Sequence, residues 1–263
     1  MSFREKSRNV LLSLSNQRFL FKELVKRDFK QKYKRTILGM LWSVLNPLLT
    51  LFVMRLVFLR FFGRSTPHYT VFLFAGTIFM SYFKDSTQNG MESLVYNATV
   101  LQKINIPKYL FIFSRNVSAF VNFLLTFLVF LFFCVLDRLP VTWNYLLLIF
   151  PILCATALNI GVGMILSCWY VFFRDITYLY GIFLTLLTYL SGIFYNVNEW
   201  GEYSKLFLLN PVYVLIAYVR QVCIDGTIPS LAMHALMFFY PALFLLIGAL
   251  TYRKYRHEFI YYL

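Results

Sequence analysis

Acidic residues are scarce in this chain: eleven Asp and Glu stand against twenty-five Lys and Arg in 263 residues, a formal net charge of +14. Those acids fall in the connections or within a few residues of the ends of the apolar runs, so no carboxylate sits mid-run to relay protons or coordinate sodium. That argues against an ion-coupled transporter. A phosphate-cradling GxxxxGK[ST] loop is missing too, so any ATP hydrolysis that drives this protein belongs to a separate polypeptide. Cysteine and histidine are few and scattered. Cys134, Cys154, Cys168 and Cys223 lie in apolar or semi-hydrophobic sequence without metal-site spacing, and His68, His234 and His257 are far apart, so no metal is assigned. The first fifteen residues lack the apolar core and small-residue cleavage site of a signal peptide. An enzyme acting on lipid-linked sugars would need acids or bases converging in a sizeable loop, and the outer connections are mostly short.

What is abundant settles the class. Hydrophobic residues make up 60% of the chain and aromatics 20%, too much apolar surface for a soluble globule. Six runs are long enough to be helical spans, at about 38–61, 69–88, 110–136, 143–172, 176–196 and 231–252. Continuous apolar stretches such as Phe127 to Val135 suit helices rather than the alternating strands of a barrel. Arg55 in the first run and Arg115 with Asn116 in the third are the departures. The expected fold is an all-α membrane protein of six transmembrane helices.

Basic residues orient it. Between Met1 and Thr36 eleven Lys/Arg meet three acids, and the chain then turns abruptly hydrophobic. With both termini cytoplasmic, nineteen Lys/Arg lie inside and five outside (Arg60, Arg64, Arg138, Lys205 and Arg220), as the positive-inside rule requires. The charge therefore lies at membrane edges and calls for no nucleic acid. Residues 11–35 read as an amphipathic helix, in which Leu14, Phe21, Leu24, Val25, Phe29 and Tyr33 recur at three- or four-residue steps beside Lys22, Lys26, Lys30 and Lys34. It either anchors at lipid headgroups or also docks a cytoplasmic partner. The domain division is a basic N-terminus over 1–36 and a membrane domain over 37–263.

The fifth connection, Asn196 to Ser230, is long yet semi-hydrophobic. It divides into two helix-like pieces, 198–209 and 211–223, broken at Asn210-Pro211. Trp200, Tyr203, Phe207, Tyr213 and Tyr218 give it interfacial aromatics, suited either to a re-entrant external gate or to a loop packed on the spans.

Taken in order, the basic amphipathic helix, Arg35-Thr36-Ile37-Leu38-Gly39 with Trp42 and Pro47, Asn105-Ile106-Pro107, Phe173-Arg174-Asp175-Ile176, and Asn210-Pro211 with Arg220 resemble the ABC-2 type permeases that export polysaccharides such as O-antigen, capsule and teichoic acid. The resemblance covers almost the whole chain. It implies a homodimer with two ATP-binding cassette subunits in the bacterial inner (plasma) membrane, exporting a lipid-linked polysaccharide; ATP and Mg would be held by the partner, and this subunit would need no cofactor of its own. It further implies that the basic helix (Phe21, Val25, Phe29) and a short helix around Glu92 to Ile104 (Glu92, Asn97, Lys103) couple to the ATPase. Lys34, Arg35, Leu38 and Gly39 would form the substrate mouth, Arg174 and Asp175 would close the cytoplasmic face, and Trp200, Asn210, Pro211 and Arg220 would belong to the external gate. Aromatics suited to a sugar conduit are Trp42, Phe52, Phe72, Phe79, Tyr180, Phe183 and Tyr189, each of which could equally pack in the core or face lipid. An ABC-2 exporter of lipids or drugs, and an ATP-independent flippase, channel or sugar transferase, remain the alternative readings.

Overall fold

Long unbroken apolar runs in a chain that must satisfy every backbone group internally give helices, and in the computed structural model, which describes residues 18–30, 34, 36–62, 66–103, 106–140 and 142–262, the regular structure of the described residues is all helical. Helix α1 covers 18–30. A 3-10 turn, Gly39–Leu41, leads into α2 (Trp42–Phe62). Then follow α3 (Tyr69–Tyr96), α4 (Ala98–Lys103), α5 (Tyr109–Leu136), α6 (Ile149–Phe172) and α7 (Ile176–Leu190). A 3-10 segment over Val197–Leu209 precedes α8 (Pro211–Cys223), and α9 (Leu231–Tyr255) and α10 (Phe259–Tyr262) complete the chain.

Among the described residues four helical stretches are long and apolar enough to cross a membrane: Gly39–Phe62, Tyr109–Leu136, Trp143–Phe172 and Leu231–Tyr255. Two of the six expected spans differ. The second does not end near 88 but continues as α3 to Tyr96, carrying Lys84, Asp85 and Glu92 inside one helix. The fifth stops at Leu190, because Ser191 and Gly192, the latter at φ +58°, turn the chain, leaving a 15-residue apolar helix. The two halves of the fifth connection are helical, with a break at Gly201 (φ +57°) in the first.

Helix α3 is the axis of the fold. Phe74, Ile78, Phe79 and Met91 are buried in the main core with Phe123, Phe127 and Phe130 of α5 and Leu158 of α6. Glycine sets two crossings. A Cβ on Gly90 of α3 would lie 3.2 Å from Cα of Gly163 in α6. One on Gly161 would meet Phe244 C of α9 at 2.5 Å, and one on Gly248 would meet Gly161 O at 2.6 Å. Small residues let α6 and α9 pack backbone to backbone, which drives association where lipid offers no hydrophobic contrast. A smaller cluster at one end joins Leu24 of α1, Leu101 of α4, Phe111 of α5, Cys168 of α6 and Phe259 of α10. This is the basic end of the bundle; α8 marks the other.

Candidate functional site: a basic mouth and a clasped far end

At the basic end, α1 is fastened by a buried acid. Asp28 is 2% exposed. It pairs with Arg27 (2.7 Å), accepts a hydrogen bond from Ser114 Oγ of α5 (2.9 Å) and lies 3.6 Å from Arg115 Nε. The Arg115 guanidinium stacks on Tyr96, 4.6 Å from the ring centroid. The polar pair Arg115-Asn116, which looked out of place in a span, is thus a docking seat: Asn116 bonds Ser86 of α3 and the Ile112 carbonyl while Arg115 receives α1. The seat that Ser114 and Arg115 give Asp28 is invisible in sequence, because helical spacing cannot show a contact such as Ser114–Asp28 across 86 residues.

Phe21, Val25 and Phe29 do not project away from the protein. They line an apolar groove of about 830 Å³ closed by Met40 and by Val117 and Val121 of α5, rimmed by Lys22, Lys26, Lys30 and Lys34. Arg35 lies outside the described residues. Leu38 is exposed, and Gly39 follows at φ +52° with no atom within 4 Å of a would-be Cβ. Gly39 is therefore required by the backbone turn that starts α2 rather than by crowding within the chain.

The expected short helix over Glu92 to Ile104 is two elements. Glu92 belongs to α3, Asn97 is its buried C-cap with Nδ2 donating to Ser93 O (2.7 Å), and α4 ends at exposed Lys103; Ile104 lies outside the described residues. Arg174 and Asp175 sit exposed in the turn between α6 and α7, with Arg174 over the Tyr170 ring and Asp175 at the N-cap of α7. On the same side Lys108 donates to Arg256 O (2.5 Å) above the Phe259 ring, and burial holds its amine below the usual lysine range.

The conduit aromatics separate. Phe72, Phe79 and Tyr180 are buried in the core, Tyr180 donating to Thr87 Oγ1. Phe52, Phe183 and Tyr189 are exposed on the outer faces of α2 and α7. Trp42 stands half-exposed at the start of α2 beside a polar cavity.

At the far end, Arg220 of α8 is 8% exposed and its charge meets backbone alone among its hydrogen-bond partners. Nε and Nη2 donate to Phe72 O (3.2 and 3.0 Å), Nη1 to Gly192 O (2.7 Å) and Nη2 to Ile193 O (3.0 Å), with the guanidinium carbon 3.4 Å from the Phe72 ring centroid. Gly76 makes room, since its Cβ would lie 2.9 Å from Nη2. Asn210 caps α8 through Oδ1 to Val212 N and Tyr213 N, and its Nδ2 reaches Leu190 O and Ser191 Oγ; Pro211 supplies the first helical residue. Trp200 stacks with Tyr195 and meets Phe207 edge-on. Beyond α8, burial raises the Asp225 carboxyl above its usual range. Thus Asn210-Pro211 and Arg220 knit α8 to α3 and to the turn after α7. Among the described residues no three His, Cys, Asp or Glu converge as a metal site.

Residues 19–224, from α1 to just past α8, match the family model for ABC-2 type transporters. The chain is 28% identical over 252 residues to an O-antigen export system permease protein RfbA of Klebsiella pneumoniae, covering 93% of this chain and 96% of that protein. It is 25% identical over 224 residues to an O-antigen export system permease protein RfbA of Myxococcus xanthus, covering 84% of this chain and 86% of that one. The chain is a multi-pass membrane protein belonging to the ABC-2 type transporter family, whose members are the membrane subunits of ABC transporters that work with ATP-binding partners.

Proposed function

We propose that this chain is the transmembrane subunit of an ATP-driven exporter that moves a lipid-linked, O-antigen-like polysaccharide from the cytoplasm across the bacterial inner membrane, as a homodimer with two ATP-binding subunits. The observation that carries this reading is the extent of the likeness: the match to an O-antigen export permease covers 93% of this chain and 96% of that protein. An ABC-2 exporter of lipids or drugs is the neighbouring reading, and the relatives' names favour the polysaccharide.

In this reading α3 and α7 join the four apolar helices to make six spans, with the basic end and both termini cytoplasmic and α8 with the preceding 3-10 segment as the re-entrant external pair. At about 1.5 Å per residue α7 is roughly 22 Å long, and the turn through Gly192 and Ile193, held by Arg220, completes its depth. Helices α1 and α4 share one cluster through Leu24 and Leu101, which also holds Leu110 and Phe111 of α5 and Cys168 and Val171 of α6, so a push on either would be transmitted to the N-terminal end of α5 and the C-terminal end of α6. Lys34, Arg35 and the Leu38-Gly39 turn would receive the lipid-linked pyrophosphate, with cations opposing its charge. The permease breaks no bond. ATP binding would draw the two ATPases together and favour the open conduit by its differential affinity for that state.

The test is reconstitution with candidate ATPase subunits. A two-plus-two complex that transfers lipid-linked glycan into vesicles in an ATP-dependent way is expected, with α4 replaced by a flexible linker abolishing transfer. Stimulation of hydrolysis by small amphiphiles but not by glycans would instead support the drug or lipid reading.

A further inference from the structure

The groove between α1 and α5 joins two chemistries. Its walls are the apolar side chains of Phe21, Val25, Phe29, Met40, Val117 and Val121, and its rim carries Lys22, Lys26, Lys30 and Lys34 with no Asp or Glu among the lining residues. Asp28 of the same helix is engaged elsewhere, with Arg27, Ser114 and Arg115. The ion pairs among the described residues use only Asp28 and Asp137 as acids, so none of the four lysines is matched by a described carboxylate. Lys22, Lys26 and Lys30 follow one another at four-residue steps on α1 and make one stripe about 12 Å long.

Depth decides what can fill the groove. Helix α5 has 28 residues, about 42 Å at 1.5 Å each, which matches a bilayer with both headgroup layers. It starts at the basic end with Tyr109, so Val117 and Val121 lie about 12 and 18 Å along it, inside the hydrocarbon of the leaflet on that side. An occupant that touches both these valines and the lysines therefore comes from the bilayer. A soluble partner would leave the inner wall uncovered, a free phosphate or nucleotide gains nothing from apolar walls, and an uncharged lipid gives the lysines no counter-charge. Lysine stems lie along apolar surface while their ammonium groups reach the headgroups, and a basic pocket between membrane helices suits an anionic headgroup. A stripe of charge, in place of a single point, suits two linked phosphates.

We propose that this groove is a binding site for an anionic glycerophospholipid of the surrounding bilayer, cardiolipin foremost, with an acyl chain along Phe29, Val117 and Val121 and its phosphates opposite Lys22, Lys26 and Lys30. Lys34, next in sequence to the Leu38-Gly39 turn, remains with the mouth. The site is the same whatever the exporter carries, so it does not rest on the polysaccharide reading. Its occupant braces α1 against α5 alongside the Asp28 dock, which puts the seating of α1 under the control of lipid composition.

The experiment places the full-length chain in phosphatidylcholine nanodiscs that contain either cardiolipin or phosphatidylcholine carrying a diazirine on an acyl chain, and maps the lipid adducts by peptide mass spectrometry after illumination. Cardiolipin adducts on 18–30 and on the peptide holding Val117 and Val121 should exceed those of phosphatidylcholine by about a hundredfold, roughly fivefold for each of three lysines beside an anionic headgroup. Lys22→Gln, Lys26→Gln and Lys30→Gln combined should bring cardiolipin down to the phosphatidylcholine level. Val121→Trp, which fills the groove and leaves the charge alone, should do the same. Arg253→Gln with Lys254→Gln, which removes two exposed cations from the same end on α9, should leave the labelling unchanged. Protease cleavage within 18–30 should slow when cardiolipin is present. Equal labelling by the two lipids, no adduct in the groove, or labelling undiminished in both the lysine and the Val121→Trp variants overturns the site; absence of any adduct would assign the groove to residues 1–17 or to a protein partner. Displacement of cardiolipin by an equimolar polyprenyl diphosphate would overturn it as well, since the groove would then belong to a transported lipid. Cleavage at one rate with and without cardiolipin would remove the brace.

Discussion

The two ends of the bundle hold their buried charge in opposite ways. At the basic end Asp28 meets countercharges, Arg27 on its own helix and Arg115 on α5. At the α8 end Arg220 spreads its positive charge over the carbonyls of Phe72, Gly192 and Ile193. The Asp28 carboxylate is itself buried, but its partners Arg27 and Arg115 keep 37% and 17% of their side chains exposed and so retain a route to water. An arginine bonded to carbonyls of two separate segments cannot let go without leaving a buried charge and several acceptors unpaired. In the coupling role proposed above α1 is the element that would shift against α5, whereas the Arg220 bonds tie α8 to α3 and to the turn after α7. Any opening at the far end has to occur elsewhere, and the 3-10 segment breaks at Gly201, where no atom lies within 4 Å of a would-be Cβ.

The largest effect expected from this contrast is at Arg220. Arg220→Met keeps the volume but leaves three carbonyls without their donor, a loss of about 3 kcal/mol at roughly 1 kcal/mol each, read as a lower melting midpoint in micelles. Arg220→Lys should recover less than half, since a single ammonium cannot reach carbonyls on both sides as a planar fork does. A melting midpoint equal to wild type in Arg220→Met would erase the distinction between the ends. Next in size is Gly76→Ala, whose new methyl would lie 2.9 Å from Nη2 and 3.1 Å from Ile193 Cγ2. Overpacking there should cost about 1–3 kcal/mol, and combined with Arg220→Met the two losses should fall well short of additive, because the clash disappears with the guanidinium.

Much of this was legible in the sequence. The apolar runs located α2, α5, α6 and α9 to within a few residues, and Asn210-Pro211 marked the start of α8 because its cap chemistry is local. What the sequence concealed depends on pairing across the fold. Arg220 read as an external charge, yet only the turn at Gly192, brought to it by tertiary packing, shows why it is buried. Phe72, Phe79 and Tyr180 were indistinguishable from Phe52, Phe183 and Tyr189 by type, since helical faces in an almost wholly apolar segment carry no period to separate core from surface.

At the basic end the expected effect is smaller in stability and larger in coupling. Asp28→Asn retains the Ser114 contact and loses a buried charge pairing, for roughly 2 kcal/mol, the order of a hydrogen bond to a charged group. The melting midpoint should fall by less than in Arg220→Met. Protease cleavage within 18–30 should accelerate, and ATP hydrolysis should become less dependent on glycan. Unchanged cleavage would mean that the apolar contacts of Leu20, Phe21 and Leu24 alone seat α1.

The smallest structural effect, and the sharpest functional one, lies at Gly39. Its φ of +52° strains any residue with a Cβ, but nothing within 4 Å would be struck. Replacement therefore costs conformational strain alone, about 1–2 kcal/mol for Val and less for Asn, which tolerates left-handed backbone. Conformation and space can thus be separated at one position. If the turn is all that matters, Gly39→Asn should export like wild type while Gly39→Val is impaired with its dimer intact. If glycine also lets a pyrophosphate approach the backbone, Gly39→Asn should lose export despite a normal melting midpoint. Normal export by Gly39→Val would remove the turn from the mouth altogether, leaving the basic end defined only by the lysines and the Asp28 dock.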